Sequence, residues 1–202
     1  MTLHGLICDA TTSIATIGAH LDALAADTRC VEVRWLDRDA QRRLYDKAAA
    51  STAIDLEHFV GRAGSGEEVI HDGLNTLPLP TPLRRFQKRF CRPVDGSERL
   101  FGYNEGPTRR LVGPGFFVAV PTRGHPMWAL RGAVVIDYFQ VPEGPVAPGW
   151  PEIVANDHGL SRFVYHETRD FMRRVSSHVA IGAAYRRERS LDHHFVLCRR
   201  EA

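Results

Sequence analysis

Four side chains in this 202-residue chain have the chemistry and setting to hold the polar end of a small molecule: Tyr103, Asp137, Arg173 and His178. Asp137 lies between Ile136 and Tyr138, and the period-two rule for strands puts it on one face with Val135 and Phe139. A carboxylate there has three structural outcomes: it meets an arginine or another donor, it takes up a proton, or it lies exposed. The functional outcome is a carboxylate that orients a ligand or works as a general base. His178 stands at the end of an alternating run and, with Tyr103 and His166, is a titrating group placed near any pocket. Asp170 precedes Arg173 and Arg174 by three and four residues, which on a helix makes a surface ion pair worth about 0.3–0.5 kcal/mol. The alternative turns one of these arginines inward, where its planar five-donor fork suits an anionic group. If the same groups converge on one reacting atom they describe an enzyme, with His178 or Asp137 as base and Tyr103 or Arg173 stabilising negative charge.

No nucleophile elbow, dinucleotide fingerprint or Walker pattern is present, and Ser176 and Ser177 beside His178 have no elbow around them. Ten histidines include no HExxH and no His-x-His, and the adjacent His193 and His194 point to opposite faces of a strand, so the expectation is no protein-bound metal. No cofactor is implied by these residues; haem, which needs only one axial histidine and an apolar pocket, is compatible with them. Cys8, Cys30, Cys91 and Cys198 lie far apart, without CxxC spacing. Net charge is +2, too small an excess for a dedicated nucleic-acid binder, and only two of the 26 basic residues, Lys47 and Lys88, are lysines. No stretch has the length of a membrane span, and a cytoplasmic protein with a small-molecule partner is expected. No residue pattern names the ligand or an oligomeric state.

The elements that must position these groups fall into two parts. Residues 1–66 read as a helical cap: Ile14, Ile17, Leu21 and Leu24 recur at helical spacing, and residues 39–50 repeat the pattern through Leu44 and Ala48. Leu56, Phe59 and Val60 form a short apolar patch, and residues 61–66 read as a Gly-rich linker or mobile loop. From residue 67 the texture is that of an antiparallel sheet, with strands expected over 99–104, 115–120 and 133–141. Residues 142–151, with four prolines, make an extended loop packed by Trp150. Residues 83–92 favour a helix with Arg84, Arg85, Lys88, Arg89 and Arg92 on a basic face, a surface on which an interaction domain could dock an acidic partner; as a strand, Phe86, Lys88 and Phe90 would share one face. An amphipathic helix is expected over 168–175, followed by a hairpin of strands 178–186 and 194–200. In the first of those strands Val179, Ile181, Ala183 and Tyr185 share one face, while His178, Ala180, Gly182 and Ala184 share another that is nearly bare and leaves room for a neighbour or a ligand.

The order Asp170-Phe171-Met172-Arg173, then Ile181-Gly182, then Phe195-Val196-Leu197-Cys198-Arg199 resembles the C-terminal stretch of bacterial lipocalin-like proteins of unknown function. There an Asp-x-x-Arg segment, a Gly-containing strand and a final strand ending in Arg complete a small antiparallel barrel. The resemblance covers about a fifth of the chain and implies an α+β protein: a mostly antiparallel, lipocalin-like β-barrel or strongly curved sheet with N-terminal helices. Its long helical N-terminus and proline-rich loop depart from that pattern. The function expected is the binding of a small apolar or amphipathic ligand in the barrel, with Tyr103, Asp137, Arg173 and His178 at its polar end.

Overall fold

The computed structural model describes residues 2–201. Four helices come first, α1 (Leu3–Cys8), α2 (Ile14–Asp22), α3 (Ala26–Val33) and α4 (Arg38–Lys47), and a one-turn helix, α5 (Glu57–Val60), follows. Side-chain caps start three of them: Thr2 accepts from the Gly5 amide, Ser13 from Thr16 and Asp37 from Ala40. Eight antiparallel strands then close a barrel in sequence order, each pairing with the next and the last with the first. They are β1 (Val69–Asn75), β2 (Arg85–Cys91), β3 (Leu100–Glu105), β4 (Phe117–Pro121), β5 (Val134–Asp137), β6 (Thr168–Arg174), β7 (Val179–Arg186) and β8 (Arg189–Arg199). Closure leaves no free sheet edge. No helix is long and apolar enough to cross a membrane among the described residues.

Alternation along each strand divides the protein into an interior and an outer shell. Val179, Ile181 and Ala183 of β7 and Val196 and Cys198 of β8 point outward and join Leu6, Ile17, Leu21, Val33 and Leu44 of the helices in one apolar layer, so the N-terminal helices coat one wall of the barrel. Gly18 of α2 permits close approach, because a Cβ there would stand 2.7 Å from the Val175 carbonyl oxygen. On another wall, Cys91, Phe101 and Val118 lie beneath Ala147 and Trp150 of the proline-rich loop. The interior takes Phe90, Leu100, Phe117, Ile136, Met172, Ala180 and Leu197. The bare face of β7 therefore looks inward, and the ring of Phe195 and the sulfur of Met172 fill the space over Gly182, at 2.4 and 2.7 Å from where its Cβ would be.

Two helix expectations are corrected. Residues 168–175 are a strand, not a helix: Thr168, Asp170 and Met172 face inward, while Phe171 on the outer side packs against Trp128 and Tyr185. Both faces are covered, which erases the period-two signal, and pairing to β5 and β7 outweighs local propensity. Residues 83–92 are helical only in the single turn α6 (Thr81–Arg84) and continue as β2, so no continuous basic face forms. Lys88 turns inward, Arg89 bonds Glu68 and Arg92 bonds Glu57. The Gly-rich segment 61–66 is tied to the barrel by a bridge from Ser65 to Arg92 and a 2.8 Å bond from the Gly66 amide to the Arg92 carbonyl. Strand 133–141 is also shorter than expected, ending at Asp137.

One end of the barrel is plugged. Ile54, Leu56, Phe59 and Val60 enter the interior cluster, with Phe59 4.9 Å from the Phe90 ring. His71 of β1 reaches the plug through Nε2, 2.9 Å from the Phe59 carbonyl oxygen, and Arg199 of β8 donates to the His58 carbonyl. His71 is fully enclosed, and burial holds its titration down to about 4; burial drives His58 down as well. An unfolded histidine titrates near 6.5, so between about pH 6.5 and pH 4 the unfolded chain takes up a proton that the folded chain refuses. The stability tied to a neutral His71 is thus complete above about pH 6.5 and falls as the pH drops towards 4. Urea denaturation should show that decline, and His71→Gln should flatten it by up to about 3 kcal/mol; an unchanged slope in the variant would remove His71 as its source.

Candidate functional site

At the end opposite the plug the barrel opens into a cavity of about 420 Å³. Its walls are inward residues of the strands, among them Phe86, Ala184 and Phe195, and it reaches down to Lys88, Asn104, Tyr138 and Asp170. Strand parity fixes this quartet. Lys88 alternates with Phe86 and Phe90 on β2, Asn104 with Gly102 and Leu100 on β3, and Asp170 with Thr168 and Met172 on β6. Tyr138 follows β5 on the interior side of Ile136.

Lys88 is 2 % exposed, and each of its three ammonium protons has an acceptor: Asn104 Oδ1 at 2.9 Å, Asp170 Oδ2 at 3.2 Å and the Tyr138 hydroxyl. The Tyr138 hydroxyl donates to Asp170 Oδ2 at 3.1 Å and accepts from Asn104 Nδ2 at 3.1 Å, and Asn104 Nδ2 also donates to the Gly115 carbonyl at 3.0 Å. Asp170 Oδ1 takes no hydrogen bond among the described residues, and its carboxyl lines the cavity. The rings of Phe117, Tyr138 and Phe195 stand 4.9–5.0 Å from Nζ, so the cation is boxed by aromatic faces.

Removal from water is the dominant influence on both charges. Burial lowers the Lys88 ammonium and raises the Asp170 carboxyl, and the opposite charge beside each offsets only part of that. Burial and the neighbouring carboxylate also hold the Tyr138 phenol well above its ordinary value. The pair is therefore pushed towards an amine beside a carboxylic acid, one proton transfer away from the ion pair.

The mouth is apolar with charged edges. Leu79, Leu83, Phe163 and Val164 line it and remain exposed, Phe163 at 64 %. They sit on or beside the single helical turns α6 and α9 (Ser161–Val164), and a further turn, α7 (Arg109–Val112), also borders the opening through Arg109 and Val112; α8 (Pro126–Ala129) lies away from it. Arg85 at the rim forms no side-chain hydrogen bond or ion pair among the described residues, while Arg109 is held by Glu105 at 2.8 Å and Arg186 bonds the Phe163 carbonyl at 2.7 Å.

None of the four residues expected from the sequence lines this cavity. Tyr103 faces outward, edge-on to Trp150 at 4.9 Å. Asp137 is also outward and buried, accepting from the Phe139 amide at 2.9 Å and from Arg169 Nε at 3.2 Å, the paired outcome. Arg173 packs over the Tyr45 ring and donates to the carbonyls of Tyr45 and Leu130. His178 lies just before β7, with Arg199 Nη2 3.3 Å from its Nδ1 and Glu201 3.6 Å from its Nε2. Three are on the outer wall and the fourth adjoins the plugged end, so they do not meet at one reacting atom. Asp170 is no surface partner of Arg173 and Arg174; it is interior, and Arg174 reaches Asp55 at 3.3 Å. The overlooked residue is Lys88, and its signal was a lone lysine flanked by Phe86 and Phe90 in the strand reading of its segment.

Compared with protein-family models, with curated proteins and with solved structures, the chain shows no match to any of the three. The class that fold and site define is accordingly architectural: an eight-stranded antiparallel barrel with an open cavity and helices packed on its outer wall.

Removing one partner of the buried pair leaves the other charge stranded. Lys88→Met or Asp170→Leu alone should cost about 3–5 kcal/mol, whereas the double variant should regain much of that loss. Chemical denaturation of the four proteins measures the coupling, and a double variant as unstable as the sum of the singles would show that the two charges do not depend on each other.

Proposed function

We propose that this protein is a lipocalin-like binding protein that holds one small apolar or amphipathic molecule in the barrel. The single observation that carries the reading is a cavity of about 420 Å³, open at one end, with apolar walls and a compact polar floor. That is within the usual size range of small-molecule sites, and such sites join apolar walls to a few fixed polar groups in this way. The apolar part of the ligand lies against Phe86, Ala184 and Phe195, and its polar group meets Lys88, Asn104, Tyr138 and Asp170. Asp170 Oδ1 is available as an acceptor, since the other oxygen serves Lys88 and Tyr138. The floor is prearranged by its own hydrogen bonds, which lowers the ordering cost of binding.

A naphthylamine dye that fluoresces in apolar surroundings tests this, with 1-decanol as competitor. One dye should bind per chain and be displaced by the alcohol. Ala184→Trp, which fills the cavity from its wall, should weaken dye binding at least about tenfold, equal to about 1.4 kcal/mol, with the circular dichroism unchanged. Undiminished binding by the folded variant would place the dye elsewhere and overturn the reading.

A further inference from the structure

We infer that Lys88 is a covalent capture site: its Nζ forms a reversible imine with an aldehyde or ketone that enters the barrel, which makes the ligand class a small apolar carbonyl compound. The inference rests on the cavity reading above and deepens it. Four observations carry it. Nζ lies at the floor of an open apolar cavity, so a carbonyl at the tip of an apolar chain is delivered to it. Asp170 Oδ2, 3.2 Å away, is a proton acceptor in place. The aromatic rings around Nζ exclude bulk water that would hydrolyse an imine. Burial, finally, favours the uncharged amine, the nucleophilic form of a lysine.

The steps balance without any further reactant. The Lys88 ammonium passes a proton to Asp170, leaving an amine beside a carboxylic acid. The Nζ lone pair forms the C–N bond as the carbonyl π pair moves to oxygen, and a proton shifts from Nζ to that oxygen to give the carbinolamine. Asp170 returns its proton to the hydroxyl, the C–O bond breaks, and water leaves. The product is an iminium cation paired with the Asp170 carboxylate, so the charge pattern of the floor is the same before and after. Net, one carbonyl compound and one ammonium give one iminium and one water.

The chain is suited to the test because Lys47 is the only other lysine, and its Nζ is engaged by the carbonyls of Thr12 at 2.7 Å and Asp9 at 3.0 Å. The 202-residue chain is incubated with n-octanal and sodium cyanoborohydride, which reduces the imine to a stable amine, and the modified residue is located by peptide mass spectrometry. The expected result is one octyl group per chain, at Lys88, suppressed by excess 1-decanol. Asp170→Asn should slow capture by at least about tenfold, since a positioned proton acceptor contributes on that scale or more; an unchanged rate would overturn the role of Asp170. Modification of Lys47 as fast as Lys88 would overturn the inference. If octanal and 1-octanol displace the dye equally well and no Lys88 adduct forms, the covalent step fails while the cavity reading stands. If neither displaces the dye, both fall together.

Discussion

An ammonium and a carboxylate 3.2 Å apart, both withdrawn from water inside a barrel of aromatic and aliphatic side chains, are the constraint around which the interior is arranged. Neither charge is tolerable there by itself, and a buried ion pair is on balance often no better than two apolar residues. It persists because Asn104 and Tyr138 complete its hydrogen bonds and three rings face the cation. These groups come from β2, β3, the end of β5 and β6, so their meeting requires barrel closure with the right register on all four. A one-residue slip in β2 or β6 would turn Lys88 or Asp170 to the outer wall.

The two ends of the barrel are treated differently. At one, the segment around α5 fills the interior with Phe59 and Val60 and is secured by His71 and Arg199. At the other, nothing larger than Ala184 projects inward from β7 below the rim, and the space that a larger residue would take remains as the cavity. The helical N-terminus meanwhile covers the outward side chains of β7 and β8. The same two strands thus have apolar residues on both sides, one set matched to helices and the other to the barrel interior.

What the sequence discloses follows from which faces are buried. Strand β7 was legible because its two faces differ in side-chain size, and α2 because Ser13 caps a regular apolar stripe. Strand β6 was not, since Phe171 is covered on the outside and Met172 on the inside, a pattern that local periodicity assigns to a helix. In β2 and just after it, the arginines at 85, 89 and 92 suggest a solvated helical face, yet each finds a different setting in three dimensions. The site escaped for the same reason: Lys88 and Asp170 lie far apart in sequence, in the two segments whose period was misread. Asp137 illustrates the converse, a carboxylate among apolar neighbours whose partner Arg169 belongs to the adjacent strand.

A vessel stoppered at its base has a single doorway. On the binding reading proposed above, an occupant would leave by the route it came in, and a newcomer could not push it out from behind. Exchange would then be governed by how often the occupant escapes past Leu83, Phe163 and Val164, at a rate indifferent to how much competitor waits outside.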